Sequence, residues 1–301
     1  MTYSTGTAPR NGLILIYQDE GTSHESCLGL KHHLSRQFLY NQIKFADSGY
    51  LNKDSWPNRV SLLIFPGGAC TPWEKNLGTI GVLKIKNYIE EYGGRVLGIC
   101  AGAYFFAQIS CYETGKISIH RKRDISLFPG VASGPLTFCE RPLSAPPRER
   151  DLSDVFDRSL SMKSSSSLPS LLEERALPSI LSRRQQTLEA PLLVKLCLSA
   201  DDTTSLYPYL GGPALTSDKA YTVIATYPDS PGSPTATLGF SSGSGTLVAC
   251  SPHPELTNPE DPNPLLQQIV NFLFPGDDFL PPPDTLLQTV TEDDALAVDF
   301  S

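Results

Sequence analysis

Hydrophobic residues along the first third of the chain fall into short, unbroken runs separated by stretches of helical spacing. Leu13-Ile14-Leu15-Ile16-Tyr17 is apolar at every position, as expected of a strand buried on both faces. Residues 26–38 place Leu28, Leu30, Leu34 and Phe38 at helical spacing, and Ile43–Ala46 reads as a second strand. Ser61–Phe65 is a third strand, stopped by Pro66-Gly67-Gly68. Val82, Ile85, Ile89 and Tyr92 mark one face of a helix that Gly93-Gly94 closes. Arg95–Ile99 is a fourth strand, and Ala103–Ile109 reads as a helical run after it. Strand followed by helix, repeated, predicts an α/β fold with a mostly parallel sheet and helices on both faces.

The pattern lapses over residues 140–190, which are rich in Ser, Pro and Arg. Such composition buries too little apolar surface to offset the entropy of ordering the chain. This stretch is expected to be a disordered insertion, with a short helix near 171–180. Strands resume at Leu192–Cys197, Tyr221–Thr226 and Thr246–Cys250, and Leu265–Phe274 reads as a closing helix. One domain is therefore expected in two parts, 1–139 and 191–275, with an acidic, Pro-rich, disordered tail over 276–301.

Composition narrows the function classes. Lys and Arg number 24 against 32 Asp and Glu, a formal net charge of −8, which argues against a general nucleic-acid binder. No run of apolar residues is long enough to span a bilayer, so no membrane association is expected. Seven scattered cysteines fit a reducing compartment, and a cytoplasmic location is the expectation. Their spacing shows no paired metal-ligand motif, so neither a metal nor another cofactor is expected.

Three local signals carry chemistry. Gly98-Ile99-Cys100-Ala101-Gly102 lies directly after a buried strand, the G-x-C-x-G form of a nucleophile elbow. A sharp strand-to-helix turn needs small neighbours and lifts the central thiol above the sheet edge, where a helix N-terminus favours thiolate. The bland alternative is a buried cysteine in a tight turn. Ser251-Pro252-His253-Pro254-Glu255 follows another strand, putting a histidine and an orienting carboxylate at the same edge. Cys100, His253 and Glu255 are the parts of a nucleophile–base–orienter relay. Gly67 and Gly68 could turn backbone N–H groups toward an oxyanion, although Gly-Gly is also an ordinary turn. Asp19 and Glu20, after the first strand, and Cys70, beside the Gly-Gly pair, are accessory candidates; His32 and His33 read as solvent-facing.

In this order the pieces resemble the class I glutamine amidotransferase-like superfamily, and more narrowly the N-terminal domain of eukaryotic biotin-protein ligases. The narrower resemblance rests on YQDEGTSHESC (17–27), LLIFPGGACTPW (62–73) and GGRVLGICAGAYFFA (93–107). RDISLFPGVASGP (123–135), YLGGPAL (209–215) and LVACSPHPELT (247–257) extend it. It implies a flavodoxin-like domain with Cys100, His253 and Glu255 in triad positions. Gly67, Gly68 and Ala101 would form the anion cradle, with Gly102 and Tyr104 beside it. Working glutaminases of the superfamily carry His-Gln after the G-x-C-x-G motif, where this chain has Ala103-Tyr104. The catalytic module of the ligases, with its Gly-Arg-Gly-Arg loop, has no counterpart here, so biotin ligase activity is not expected. The expected substrate is a small acyl or amide compound, and the expected partners are a biotin ligase or a biotin-dependent carboxylase. A non-catalytic regulatory or binding module is the first alternative. The second is a PfpI-like thiol hydrolase, in which Glu20 would stand by the thiol.

Overall fold

The computed structural model describes residues 12–138 and 191–276, apart from Leu39, Tyr40, Asp54 and Lys116. The expected insertion at 140–190, its short helix, and the tail beyond Gly276 lie outside the described residues. Strands β1 (Leu13–Tyr17), β2 (Ile43–Ala46), β3 (Val60–Phe65), β4 (Arg95–Ile99) and β13 (Gly245–Cys250) lie side by side in the order β2-β1-β3-β4-β13, all parallel. Beyond β13 the sheet continues through β12 (Thr235–Ser242), β10 (Ala214–Ser217), β7 (Phe128–Gly134), β5 (Ala107–Glu113) and β6 (Ser118–Lys122). Of these later pairings only β5 with β7 is parallel. A side branch adds β11 (Thr222–Thr226), β8 (Leu192–Leu198) and β9 (Thr204–Tyr209), all antiparallel. The fold is α/β and flavodoxin-like, with a parallel half extended by an antiparallel half.

Alternation along the parallel strands explains why their sequences do not look alternating. Leu13, Leu15, Tyr17, Leu63, Phe65, Val96, Leu247 and Ala249 point to one face, beneath α3 (Thr71–Glu90) and α4 (Ala101–Phe106). Ile14, Ile16, Leu62, Ile64, Leu97, Ile99, Val248 and Cys250 point to the other. There they meet α1 (His24–Gln37) through Cys27, Leu30 and Leu34, and α5 (Pro264–Leu273) through Leu265 and Ile269. Both faces are apolar because both are covered. A short helix, α2 (Ser48–Leu51), follows β2. Aromatic packing under α3 centres on Phe65, whose ring stacks on Tyr17 at 4.6 Å and on Phe105 at 5.2 Å, with Trp73 and Phe106 at its edges.

Several sequence readings are corrected. The helix after β4 stops at Phe106, and Ala107 opens β5 with extended backbone. Ladder pairing with β6 and β7 there overrides an apolar run that reads as helical. Leu28 is exposed, because the buried face of α1 runs through Ser26, Cys27, Leu30, His33 and Leu34. Leu192 and Leu193 are exposed too, since β8 buries only Val194, Leu196 and Leu198. Strands β5, β6, β7, β9, β10 and β12 went unread: they mix polar, Gly and Pro residues, and most pair antiparallel.

Truncating the aromatic hub tests this account of the core. Phe65→Ala is expected to cost about 3–5 kcal/mol of unfolding free energy, the usual range for a buried Phe. Ile80→Ala, on the exposed side of α3, should cost under about 0.5 kcal/mol in the same denaturant titration.

Candidate functional site

Strands β3, β4 and β13 are neighbours, and each ends at one of the sequence signals. β3 runs into Pro66-Gly67-Gly68, β4 into Cys100, and β13 into the loop carrying His253. All three are parallel, so these segments share the carboxyl edge of the sheet.

Cys100 occupies the apex of the strand-to-helix turn with φ 48° and ψ −97°, a backbone region that side chains rarely adopt. Its N–H donates to Cys250 O at 2.7 Å, and its carbonyl accepts from Tyr104 N–H at 3.1 Å, fixing both sides of the turn. The flanking glycines are steric necessities. A Cβ on Gly102 would lie 2.4 Å from Phe65 O, and one on Gly98 would lie 2.7 Å from the Gly102 carbonyl group. Cys100 is 6% exposed, and its sulfur lies 3.9 Å from Leu210 O.

His253 and Glu255 are both buried, on a 3₁₀ turn (Pro254–Leu256) and its cap. The carboxylate accepts at Oε1 from His253 Nδ1, 2.7 Å away. A carboxylate can only accept, so Nδ1 carries a proton, and in the neutral ring Nε2 is the acceptor. Nε2 is buried and has no conventional hydrogen-bond partner among the described residues. It belongs to the ring on which the Cys100 sulfur acts. Burial alone would lower the His253 pKa, but the Glu255 carboxylate and the Cys100 sulfur drive it well above the ordinary 6.5.

Sequence reading missed Ser26, on α1. Its hydroxyl donates to Glu255 Oε1 at 2.6 Å and accepts from Gly67 N–H at 2.9 Å. The available signal was helical spacing: Ser26, Gly29 and His33 lie on the side of α1 that meets the 253–257 loop. A Cβ on Gly29 would meet Glu255 O at 2.3 Å, and His33 Nε2 lies 3.2 Å from Thr257 O. His33 is therefore buried, where a solvent-facing position was expected; burial lowers its pKa.

The two glycines after β3 separate in role. Gly67 is buried and its N–H is taken by Ser26, so it offers no donor to an oxyanion; this corrects the three-amide cradle. A Cβ on it would lie 2.5 Å from His253 Cε1, so the bare backbone makes the slot for the imidazole ring. Gly68 is exposed at φ 135°, braced by Ser23 N–H to Gly67 O and Ala69 N–H to Gly21 O. Gly68 and Ala101 carry no turn, loop or cap hydrogen bond through N–H among the described residues.

The accessory candidates fall elsewhere. Glu20 is exposed, and Asp19 spends its carboxylate on Ser48 N–H, Glu20 N–H and the Tyr17 hydroxyl. Among the described residues no hydrogen bond links either acid to Cys100. Cys70 is buried at the start of α3, where its sulfur accepts from Arg123 Nη2 at 3.1 Å. Burial raises its pKa against the pull of that guanidinium. Burial likewise pushes Cys27 up to about 11 and raises Cys250. Tyr104 is buried beside Cys100, with its hydroxyl donating to Gly211 O at 3.1 Å. Among the described residues no cluster of His, Cys, Asp and Glu could hold a metal ion, and no helix is long and apolar enough to cross a membrane.

If Glu255 sets the charge of the ring, Glu255→Gln should lower the His253 midpoint from its raised value, as read by NMR titration. A raised folded-state value stabilises the fold fully below 6.5 and loses that contribution as pH rises through the folded value. The stability gap between the native chain and Glu255→Gln should therefore be widest in acid and narrow toward alkaline pH in urea unfolding.

Comparison with known proteins shows what part of the chain resembles them. Residues 13–139 match the family described as "Biotin-protein ligase, N terminal". An uncharacterised protein of Chlamydia muridarum is 36% identical over 126 residues, 40% of this chain and 48% of that protein. The biotin–protein ligase of Schizosaccharomyces pombe is 31% identical over 127 residues, 40% of this chain and 20% of the ligase. The alignments thus span about half of the first relative and a fifth of the second. Among solved structures, a glutamine amidotransferase has a TM-score of 0.46 at 15% identity, covering 86% of this chain and all of that one. A second, from Thermotoga maritima, has a TM-score of 0.43 at 12% identity over 87% of this chain and 81% of its own. The matched segment holds Ser26, Gly67, Gly68 and Cys100, whereas His253 and Glu255 lie beyond it. Over residues 13–139 this chain is similar to the biotin-protein ligase N-terminal family.

Proposed function

We propose that this domain performs thiol-dependent acyl transfer or amide hydrolysis, with Cys100 as nucleophile, His253 as base and then acid, and Glu255 as its orienter. The observation that carries the reading is the buried imidazole. It is held through Nδ1 by a carboxylate 2.7 Å away, and its free nitrogen is left to a thiol at a strained turn. In the proposed reaction His253 Nε2 takes the thiol proton as sulfur bonds to the substrate carbonyl carbon and the carbonyl π pair moves to oxygen. The N–H groups of Gly68 and Ala101 are the donors available to that oxygen. Collapse re-forms the carbonyl and breaks the C–N bond, and the imidazolium gives its proton to the departing amine. Water, deprotonated by the same nitrogen, then attacks the thioester and releases the acid and the thiol. The substrate is a small acyl or amide compound. The lineage of residues 13–139 favours a setting in biotin metabolism, with a biotin ligase or a biotin-dependent carboxylase as partner.

A second reading, a regulatory module that binds without turnover, is favoured by one feature: Cys100 is only 6% exposed, with the Leu210 carbonyl 3.9 Å from its sulfur. Thiol reactivity separates the two. Near the ordinary imidazole midpoint, about pH 6.5, iodoacetamide should modify Cys100 at least about tenfold faster in the native chain than in His253→Ala. Peptide mass spectrometry follows the site, with Cys100→Ser as the blank. Equal rates would overturn the relay and leave the binding module. For the partner, reciprocal pull-downs should recover a biotin ligase or a biotin-dependent carboxylase; recovery of neither contradicts the metabolic setting.

A further inference from the structure

Ser26 lies on α1, 229 residues from Glu255 in sequence, yet its side chain is fully buried against that carboxylate. Hydrogen-bond directions at its oxygen follow from the partners. Gly67 N–H can only donate, so it fills one lone pair of the hydroxyl at 2.9 Å. The hydroxyl proton is thereby directed at Glu255 Oε1, 2.6 Å away, within the range of charge-assisted O–H···O⁻ bonds. The same Oε1 accepts from His253 Nδ1 at 2.7 Å. One oxygen thus receives two donors, while Oε2 is buried with no partner among the described residues. With Oε1 fixed by Ser26, the carboxylate presents that oxygen alone to the ring.

The other half of the contact acts on the ring itself. Gly67 backs directly onto His253, since a Cβ there would fall 2.5 Å from Cε1 and 3.2 Å from Nδ1. By accepting the Gly67 N–H, Ser26 sets how far the loop after β3 stands from the ring. The imidazole is therefore bounded by two groups, the carboxylate on its Nδ1 side and the Gly67 backbone against Cε1, and a single hydroxyl fixes both.

We infer that Ser26 is a positioning residue, which orients His253 toward Cys100 by clamping Glu255 Oε1 and the Gly67 backbone at once. The inference rests on the relay proposed above. It assigns Ser26 no contact with substrate.

The test uses the full chain and two readouts. In Ser26→Ala, the NMR resonance of the His253 Nδ1 proton should shift or broaden. Modification of Cys100 by iodoacetamide at about pH 6.5 should slow at least about tenfold, the scale of losing one hydrogen bond to a charged group. Ser26→Thr, which restores the hydroxyl, should bring both readouts back toward native values. An Nδ1 resonance unmoved in Ser26→Ala, with a Cys100 rate within about twofold of native, would overturn the inference. Should Ser26→Ala fail to fold, Ser26→Cys takes its place, keeping the shape with a weak donor. A native-like resonance and rate at Cys100 in that variant would overturn the inference equally. The resonance reads ring orientation without reference to sulfur. Loss of the relay in His253→Ala and loss of the clamp in Ser26→Ala are therefore told apart.

Discussion

Everything at the sheet edge depends on a shared oxygen, Glu255 Oε1, which takes hydrogen bonds from both an imidazole and a serine hydroxyl inside the protein. A buried carboxylate is costly unless it is paired and hydrogen-bonded. Here the pairing group is the ring it orients, so the interaction that offsets desolvation also selects the Nδ1–H tautomer. The local architecture serves that contact. Gly29 lets α1 approach the Glu255 backbone, Asn263 Nδ2 holds Pro254 O at 2.8 Å, and His253 N–H ties back to Pro208 O at 2.9 Å. The acid is thereby anchored from α1, from the start of α5 and from β9.

The second constraint is steric and centres on β4. A cysteine at φ 48° is strained, and such strain persists only where the surroundings over-determine it. The 2.7 Å bond from Cys100 N–H to Cys250 O does part of this, by tying the turn to β13. The close approach of Gly102 to Phe65 O does the rest, tying α4 to β3. Two neighbouring strands thus clamp the turn, and the same two strands deliver Gly67 and His253. Strain and site share a cause.

Legibility in the sequence followed the physics of each element. Strands β1, β3, β4 and β13 were readable because burial on both faces writes an unbroken apolar run, and Cys100 and His253 stood out as candidates because they follow the ends of such strands. The antiparallel half was not. Residues 118–122 (SIHRK) are exposed throughout and form β6 only because β5 offers a ladder. Ala107 looks helical and is pulled extended by pairing partners that local sequence cannot announce. Ser26 was hidden for another reason. A serine two positions into a helix reads as surface decoration, and only the long-range meeting of α1 with the 253–257 loop gives it a buried carboxylate to face. Gly67 was recognised as special but for the wrong property: its missing side chain matters, while its N–H is already spent.

The segment that follows β9 reaches Cys100 through the Leu210 carbonyl. Tyr104 and Tyr209 donate hydroxyl hydrogen bonds to the carbonyls of Gly211 and Gly212, at 3.1 and 2.8 Å. Tyr227 donates to Ser251 Oγ at 2.6 Å, and a Cβ on Gly212 would fall 2.5 Å from that oxygen. The segment Leu210–Gly212 is thus pinned by aromatic side chains whose pKa values burial raises. These phenols stay protonated as donors through the neutral range, so the pinning does not vary with pH there. What the pinned backbone brings to the sulfur is the Leu210 carbonyl at 3.9 Å, an acceptor, which the thiol form suits and a thiolate does not. Transfer of the proton to His253 therefore removes the only group on sulfur that this carbonyl can engage. In the proposed reaction, ionisation of Cys100 thus weakens its contact with the Leu210 carbonyl.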